Sequence, residues 1–395
     1  MRISKTVWIL SIVSMFGDIA SEMLYPVIPV YLKEIGFSVL LIGILEGFAE
    51  FTVGLSKGYF GKLSDERGQR LPFVKLGYFF SAISKPMMAL FVYPMWIFLA
   101  RTTDRLGKGL RTAARDALLS GNATKETKAR IFGFHRAWDT FGAVVGPLFA
   151  LGFLYYHPSQ YKLLFFIAFL PGIVAVLLIF LLTEKKQPAA TIAQQNFFSF
   201  FSYWKIAPPD YKKLVIGLII FALANSSDVF LLLKAKEITG SDTEVIAAYI
   251  FYNLVYALSS YPMGHVADKF GFKKVFLSGL LLFAVVYTGF ALNSSTLGIY
   301  ILFFIYGLYA SATEGIAKAW ISNMAHEKNT ATALGFYTSC QSIVTLLASV
   351  TAGIIWSRLG SSTVFLFAVS LTLIVIFYLS TANRNKKMFL SSKIK

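Results

Sequence analysis

Cysteine, histidine and charge are scarce in this 395-residue sequence. Its single cysteine, Cys340, cannot form an intrachain disulfide, and its four histidines show no metal-ligand spacing. Only 14% of the residues are charged, whereas about 25% is usual in a soluble domain. The phosphate-binding pattern G-x-x-x-x-G-K-[ST] does not occur. These absences argue against a disulfide-stabilised secreted protein, a metalloenzyme and an ATP-driven pump, and we expect neither a cofactor nor a bound metal.

Long apolar runs dominate what the sequence does contain. Hydrophobic residues make up 56% of the chain, and a run of about 20 of them crosses the roughly 30 Å of hydrocarbon in a bilayer. The first run carries Asp18 and Glu22 and lacks a small-residue cleavage site, so it predicts a span and not a signal peptide. Twelve spans are expected, at 6–31, 38–61, 72–93, 95–118, 131–155, 162–183, 213–235, 245–266, 274–293, 297–320, 331–356 and 361–381.

Positive charge falls mostly in alternate loops. A net charge of +17 suggests nucleic acid in a soluble protein, but here it follows the positive-inside pattern of membrane proteins. The cation-rich loops lie near 62–70, 125–130, 185–213 and 269–274, and the tail adds more cations. We therefore predict a multi-pass protein of the cytoplasmic (inner) membrane, with both termini in the cytoplasm and no nucleic-acid partner.

Two ten-residue segments repeat at a constant spacing. Gly61–Arg70 follows the second span, and Gly264–Lys273, beginning 203 positions later (264 against 61), follows the eighth. Parallel repeats of this kind are typical of carriers that rock two bundles about a central site. We expect an N-terminal six-helix bundle over 1–183, a cytoplasmic inter-bundle loop over 184–212, and a C-terminal six-helix bundle with its tail over 213–395. The aromatic stretch 197–204 in that loop predicts a segment at the lipid headgroups, with a partner-binding helix as the alternative.

Both ten-residue segments fit the pattern G-x-x-x-D-[RK]-x-G-x-[RK], except that Glu66 replaces the cation in the first copy. The pattern resembles the hallmark loop of the major facilitator superfamily, and the resemblance covers the whole chain. It implies an all-α membrane protein with twelve transmembrane helices in two six-helix bundles. It also implies a conformational latch that keeps the cytoplasmic side closed, with an ordinary solvated turn as the alternative. The latch residues are Gly61, Asp65, Gly68 and Arg70 in the first copy, and Gly264, Asp268, Lys269 and Gly271 in the second.

Span five carries a second family-like pattern. Gly133, Gly142, Gly146 and Pro147 follow the spacing G-x8-G-x3-G-P, which resembles the antiporter signature of the same superfamily. The closing glycine pair of that signature is absent here. The resemblance favours antiport, and therefore export. Glycine-rich helix packing without directional meaning is the alternative.

Span four is unusually charged. A charged group at mid-membrane costs roughly 2.5–3.5 kcal/mol on insertion scales, so such groups persist where they face a partner or a wet cavity. At about 100° per residue, the charged residues of this span share one helix face. They are Arg101, Asp104, Arg105, Lys108, Arg111, Arg115 and Asp116.

These charges predict the substrate and coupling residues. Arginine binds carboxylate or phosphate through two parallel hydrogen bonds, so the substrate is expected to be a small organic anion or zwitterion. In the alternative reading, the cations neutralise acids of neighbouring spans and only hold the bundle together, a role that suits Arg115 and Asp116. The substrate-binding candidates are Arg101, Arg105, Lys108, Arg111, Asp228 and Glu314. The proton-coupling candidates are Asp18, Glu22, Glu46 and Asp104.

The leading hypothesis is a proton-coupled secondary transporter that exports its substrate. Segment 104–111 also resembles the fourth-span motif of the superfamily's drug–proton antiporters. The expected partners are a small-molecule substrate, protons and membrane lipid, and the protein is expected to be a monomer. The alternatives within transport are export of an amphiphilic drug-like compound and proton-coupled uptake of a nutrient or metal chelate. A polytopic membrane enzyme or receptor is disfavoured, because we find no nucleophile–base pair, no catalytic residue and no sizeable sensing loop.

Overall fold

The computed structural model describes residues 3–25, 27–37, 39–184 and 197–381, and every regular element in that part of the chain is a helix. The first half contains α1 (Lys5–Glu22), α2 (Ile28–Glu34), α3 (Val39–Glu66), α4 (Leu71–Leu90), α5 (Pro94–Gly121), α6 (Lys128–Tyr156) and α7 (Tyr161–Ile179). A 3-10 turn, Phe197–Ser202, and the short α8 (Tyr203–Ile206) follow. The second half contains α9 (Pro209–Ala224), α10 (Val229–Thr239), α11 (Asp242–Phe270), α12 (Phe272–Leu292), α13 (Thr296–Met324), α14 (Thr330–Leu359) and α15 (Ser361–Thr381).

The described helices form twelve spans when α1 with α2, and α9 with α10, are each counted as one. This confirms the predicted all-α fold with two six-helix bundles. Seven of the spans are long and apolar enough to cross a membrane by length and composition alone. Helix α5 is not among these seven, because seven charged residues interrupt it. The predicted boundaries at 183 and 213 stay a prediction, since 185–196 lie outside the described residues.

The first and seventh spans, predicted at 6–31 and 213–235, each contain a helix break that was not predicted from the sequence. Helix α1 ends at Glu22 and α2 begins at Ile28, while α9 ends at Ala224 and α10 begins at Val229. The two breaks lie at equivalent places in the repeat, because 225 is 203 positions after 22. The second break consists of Asn225–Asp228, four short polar residues whose side chains compete with the helix for backbone hydrogen bonds. Hydropathy does not detect such breaks, because the apolar run continues on both sides.

The bundles meet along two seams, α3 against α14 and α6 against α11. Glycines permit the close approach at both. A Cβ on Gly133 of α6 would lie 2.4 Å from the carbonyl oxygen of Ser260 in α11, and one on Gly335 of α14 would lie 2.5 Å from that of Lys57 in α3. Ser260 is 203 positions after Lys57. The two seams therefore repeat each other as the sequence halves do.

The other two glycines of the antiporter-like pattern pack α6 within its own bundle. A Cβ on Gly142 would lie 2.4 Å from the carbonyl oxygen of Met15, and one on Gly146 would lie 2.7 Å from that of Ile19, both on α1. Pro147 lies inside α6, which continues unbroken to Tyr156. Gly142 and Gly146 therefore permit the close contact between α1 and α6, and Gly133 permits the close contact between the bundles.

The inter-bundle aromatic stretch packs on protein as well as presenting exposed rings. Phe200 is fully buried against Gly58 of α3, where an added Cβ would lie 2.5 Å from its ring. Trp204 stacks on Phe336 of α14, with ring centroids 5.7 Å apart. Phe198 is more than half exposed. The segment thus bridges the α3–α14 seam, which a purely headgroup-lying segment would not do.

Candidate functional site

A charged cavity of about 350 Å³ lies between the two bundles. Helices α1, α3, α5 and α6 of the first bundle and α11, α13 and the α9–α10 break of the second contribute its walls. Its titratable lining includes five carboxylates and six cations. These are Asp18, Glu22, Asp139, Asp228 and Glu314, with Lys57, Lys108, Arg111, Arg115, Arg136 and Lys318.

One group of these charges forms a network that crosses from bundle to bundle. Arg136 of α6 donates to Asp139 at 2.8 Å and also to Glu314 of α13, while its Nε donates to the Tyr256 hydroxyl at 2.5 Å. Glu314, predicted to bind substrate, is therefore ion-paired with Arg136 in this structure. Its contact with Arg136 links α6 to α13.

A second part of the network runs through span four. Asp116 accepts from Lys318 of α13 at 2.7 Å and from its neighbour Arg115 at 3.1 Å. Arg115 also donates to Ser14 of α1 at 2.8 Å and lies 3.7 Å from Asp139. Arg115 and Asp116 thus form ion pairs of the kind that the structural alternative describes. Their network also reaches the opposite bundle.

Lys108 and Arg111 differ from the other cavity cations. Neither forms an ion pair with a carboxylate anywhere in the part of the chain that the structure describes. Arg111 donates to the Ser81 hydroxyl at 2.5 Å, and its guanidinium lies 4.5 Å from the centroid of the Tyr78 ring. These contacts orient the guanidinium without neutralising it. The two side chains are the cavity's best placed groups for an oxyanion.

Asp104, predicted to take part in proton coupling, lies beside two cations. Its Oδ1 accepts from Lys85 of α4 at 2.7 Å and its Oδ2 lies 3.6 Å from Arg101, in a site where Lys85 is only 4% exposed. It does not line the large cavity, but a small side chamber that also includes Arg101, Arg105, Lys108 and Arg111. A buried carboxylate held by cations is a poor proton carrier, so this geometry does not add support to the predicted coupling role of Asp104, which stays a prediction.

Sequence reasoning missed Lys85, although the signal was present. A lone lysine inside an apolar span is costly unless it has a partner. The partner, Asp104, lies 19 positions away in the next span. A search for single buried charges in neighbouring spans would have found the pair.

Asp18 and Glu22 line both the large cavity and the side chamber, beside Lys108 and Arg111. The structure therefore brings two of the four predicted coupling acids next to the predicted anion-binding cations. The side chain of Glu46, a third candidate, lies outside the described residues. Among the described residues, no group of three or more His, Cys, Asp or Glu side chains could hold a metal ion.

The wall opposite these cations is aromatic and acidic. Asp228, at the α9–α10 break, accepts from the Tyr306 hydroxyl at 2.7 Å. Four cavity residues of α11, missed from the sequence, follow the i, i+3, i+4, i+7 spacing of one helix face, which was a readable signal. They are Tyr249, Tyr252, Asn253 and Tyr256.

The first hallmark loop contacts the opposite bundle. Asp65 accepts from the backbone N–H of Thr332 at 2.7 Å and from its hydroxyl at 2.9 Å, in the first turn of α14. Arg70 donates to Asp65 at 2.9 Å and to the carbonyl of Glu327 at 2.8 Å. A Cβ on Gly61 would lie 2.6 Å from the carbonyl oxygen of Ala331. An anion at the start of a helix is favoured by the helix dipole, as expected.

The second hallmark loop makes the equivalent contact in the other direction. Asp268 accepts from the backbone N–H groups of Ala129 at 2.9 Å and Arg130 at 3.0 Å, in the first turn of α6. A Cβ on Gly264 would lie 2.4 Å from the carbonyl oxygen of Ala129. Thr332 of the first contact is 203 positions after Ala129. The two loops thus close the same end of the molecule, which we name the latch end.

The remaining loop residues have different surroundings. Gly68 and Gly271 have φ of +63° and +95°, which only glycine adopts without strain, so each turn depends on its glycine. Lys269 is exposed, with its ammonium 5.4 Å from the Phe270 ring centroid. Its ammonium therefore contacts a ring of its own helix, α11.

Comparison with known proteins agrees with this architecture. The family model of the Major Facilitator Superfamily matches residues 10–234 and 214–393. An uncharacterized transporter of that type from Methanocaldococcus jannaschii, MJ1317, is 32% identical over 379 residues, covering 94% of each chain. A Lactococcus lactis homolog of the multi-drug resistance efflux pump PmrA is 22% identical over 365 residues, covering 88% of each.

Solved structures show the same fold. The human organic anion transporter MFSD10 superposes with a TM-score of 0.79 at 15% identity, covering 95% of this chain and 98% of that one. The E. coli fucose:proton symporter also gives 0.79, at 13% identity, covering 96% and 98%. At these identities the likeness establishes the fold, while the family match and the MJ1317 relationship establish membership. The chain therefore belongs to the Major Facilitator Superfamily, and it is a membrane transporter and not an enzyme.

Proposed function

We propose that the protein exports a small anionic or zwitterionic solute across the cytoplasmic membrane in exchange for protons, by alternating access. The observation that carries the proposal is the cavity between the bundles, in which Lys108 and Arg111 have no ion-paired carboxylate among the described residues. Charges without such a partner are costly inside a membrane and are kept for function. A volume near 350 Å³ suits a small solute, since ligand pockets span about 300–1,000 Å³.

The proposed anion site combines two kinds of cation. Arg111 offers a planar fork that Ser81 and Tyr78 hold in place, and Lys108 offers a compact charge one helical turn earlier. Arg101 and Arg105 lie deeper, in the side chamber, and extend the positive field behind the site. Asp228 and the tyrosines of α11 face the solute from the other bundle.

Coupling is proposed to use Asp18 and Glu22. A proton on Asp18 would remove a negative charge beside Lys108 and Arg111, so proton and anion would bind together, which favours symport. A solute that carries a cationic group would instead displace a proton from a carboxylate, which favours antiport. The sign of coupling therefore depends on the charge of the solute.

Antiport and export are favoured by the glycine pattern of α6 and by the name of the L. lactis relative. Proton-coupled uptake is the second candidate, supported by the position of Asp18 next to the cations and by the fold shared with the fucose:proton symporter. Proteoliposomes with a trapped pH dye distinguish the two, because a solute gradient would move protons in opposite directions.

The hallmark loops are proposed to act as the latch of the cycle. Asp65→Asn and Asp268→Asn should each slow transport while the yield of folded protein stays unchanged, since both residues lie outside the cavity. Transport at the wild-type rate in both variants would reduce the loops to simple turns. The latch end is proposed to be cytoplasmic, and reporter fusions within 186–196 and after Lys395 should both report cytoplasm.

The anion site is tested by ligand-induced thermal stabilisation of purified protein. Inorganic phosphate and short alkanoates are the probes, and a ligand at a hundredfold excess over Kd stabilises the folded state by about 2.7 kcal/mol. Lys108→Gln and Arg111→Gln should each reduce the shift, and the double variant should abolish it. Arg111→Lys should retain a weak shift, because it keeps the charge and loses the fork.

The matched control is Lys162→Gln, which removes an exposed lysine at the start of α7. It should keep the full ligand shift. A double variant of Lys108 and Arg111 that responds to the probes like wild type would contradict the anion site. A double variant that melts early in the absence of ligand would assign the two cations to the scaffold.

A further inference from the structure

The two walls of the cavity carry opposite chemistry. The first-bundle wall presents Lys108 and Arg111, with Asp18 and Glu22 close beside them. The second-bundle wall presents Asp228 with Tyr249 and Tyr252 of α11. In the first wall, acids and cations share one chamber, but neither Lys108 nor Arg111 is ion-paired with a carboxylate in the described chain. The second wall differs from the first, because its carboxylate forms no ion pair with a cation in the described chain.

Asp228 forms no ion pair in the part of the chain that the structure describes. Its one direct partner there is the Tyr306 hydroxyl, which donates to Oδ1 at 2.7 Å and leaves Oδ2 available. The charged side chains within electrostatic range of Asp228 are Glu314 and Arg136. Arg136 is already held by Glu314 and Asp139, so it does not neutralise Asp228.

Tyrosine side chains line the cavity near this carboxylate. Tyr249 and Tyr252 both lie within electrostatic range of Asp228 and both line the cavity. The Tyr252 ring centroid is 5.0 Å from that of Tyr306, so the rings form a continuous patch beside the carboxylate. A carboxylate with several aromatic faces is the arrangement that recognises an organic ammonium group, through charge and cation–π attraction.

We propose that the solute is a zwitterion whose oxyanion binds Lys108 and Arg111 and whose ammonium group binds Asp228 between Tyr249 and Tyr252. The inference rests on the proposed function, since it adds a second half to the same site. One ligand with both charges neutralises both walls at once, whereas a simple anion would leave Asp228 uncompensated. A bare alkali cation would use the carboxylate and gain little from the rings, so the rings favour an organic ammonium.

The test compares matched probe pairs on the full-length protein. Each pair consists of an ω-trimethylammonio carboxylate and its isostere in which a tert-butyl group replaces the trimethylammonium, over a graded series of chain lengths. The two members share size and carboxylate and differ only in the positive charge. At the best chain length, the zwitterion should bind at least about tenfold more tightly than its isostere, which corresponds to about 1.4 kcal/mol.

Variants assign this difference to the second wall. Asp228→Asn should remove the preference for the zwitterion and leave binding of the isostere unchanged. Tyr249→Leu should reduce the same preference without changing affinity for the isostere. The control Glu244→Gln removes the carboxylate of another acid–tyrosine pair, 2.6 Å from the Tyr300 hydroxyl, which is not part of the cavity lining. It should keep the full preference.

The possible failures are distinguishable. If the isosteres bind as well as the zwitterions and Asp228→Asn changes neither, the zwitterion inference is overturned and the anion site stands. If no probe of either kind stabilises the protein and Lys108→Gln has no effect, the proposed anion site fails and the inference fails with it. Melting temperatures of the ligand-free variants separate loss of binding from loss of folding.

Discussion

The seam glycines permit a sharp test of whether the latch end opens during the cycle. A Cβ on Gly264 would lie 2.4 Å from the carbonyl oxygen of Ala129 and 2.9 Å from the Cα of Arg130, both backbone atoms of the opposite bundle. Backbone cannot move aside as a flexible side chain does. Gly264→Ala should therefore destabilise the closed latch end and leave a state with separated bundles unaffected.

The size of the effect follows from overpacking. Extra methyl groups in a well-packed interior cost about 1–3 kcal/mol, and alanine adds about 0.5–1 kcal/mol of helix stability in both states, which cancels from the comparison. The balance between closed and open should thus shift about 5- to 150-fold towards open. Gly61→Ala should act similarly, because its Cβ would lie 2.6 Å from the carbonyl oxygen of Ala331.

Spin labels on both sides of the latch end provide the readout. In a Cys340→Ser background, cysteines replacing the exposed Lys125 and Lys274 report the distance between the bundles by pulsed electron resonance. Gly264→Ala should enlarge the long-distance population. The control Gly152→Ala, where an added Cβ meets no atom within 4 Å, should leave the distances unchanged. Identical distance distributions in Gly264→Ala and wild type would refute the reasoning.

Three further substitutions have definite expected outcomes. Phe200→Ala should lower stability by about 3–5 kcal/mol, because the ring is fully buried on α3, and thermal unfolding measures this. Lys85→Met alone should lower the free energy of unfolding by about 3–5 kcal/mol, because Asp104 loses its closest cation. The double variant Lys85→Met with Asp104→Leu should recover most of that stability, and thermal unfolding measures both. Lys318→Gln should shift the spin-label distances towards the open latch end, because it removes the cross-bundle partner of Asp116; unchanged distances would show that the pair does not support closure.

Much of the fold was predictable because the bilayer imposes simple rules. Span length, loop charge and the spacing of the repeat depend on local sequence, and they indicated twelve helices in two halves. The helix breaks were not predicted, because hydropathy averages over a polar interruption as short as Asn225–Asp228. A search for consecutive short polar residues inside an apolar run would have detected the second break.

The site was only partly predictable, because pairing of charges is a tertiary property. Span four looked like one uniform cationic stripe. The structure divides it by partners from distant segments: Lys85 holds Asp104, and Lys318, 202 positions away, holds Asp116. The same division leaves Lys108 and Arg111 without an ion-paired carboxylate in the described chain. Sequence spacing placed the charged residues of span four on one helix face, but it could not assign their partners on other helices.

The cross-bundle ion pairs are arranged so that the two bundles could separate without leaving a buried charge unpaired. In the proposed open state of the latch end, Lys318 would leave Asp116 and Glu314 would leave Arg136. Asp116 keeps Arg115 at 3.1 Å and Arg136 keeps Asp139 at 2.8 Å, both within the first bundle.

On the second bundle, Glu314 and Lys318 lie at i and i+4 of α13, the spacing at which oppositely charged side chains of a helix pair with each other. Each cross-bundle contact can therefore be exchanged for one inside a bundle. Removing one partner of a buried charge costs about 3–5 kcal/mol, and the buried Asp116 avoids that cost in the proposed open state by keeping Arg115. For this reason Lys318→Gln is expected to shift the balance between states more than it lowers overall stability. Glu314→Gln removes the carboxylate that would pair with Lys318 in the open state. The single variants Lys318→Gln and Glu314→Gln and their double variant should therefore show non-additive shifts in the spin-label distances.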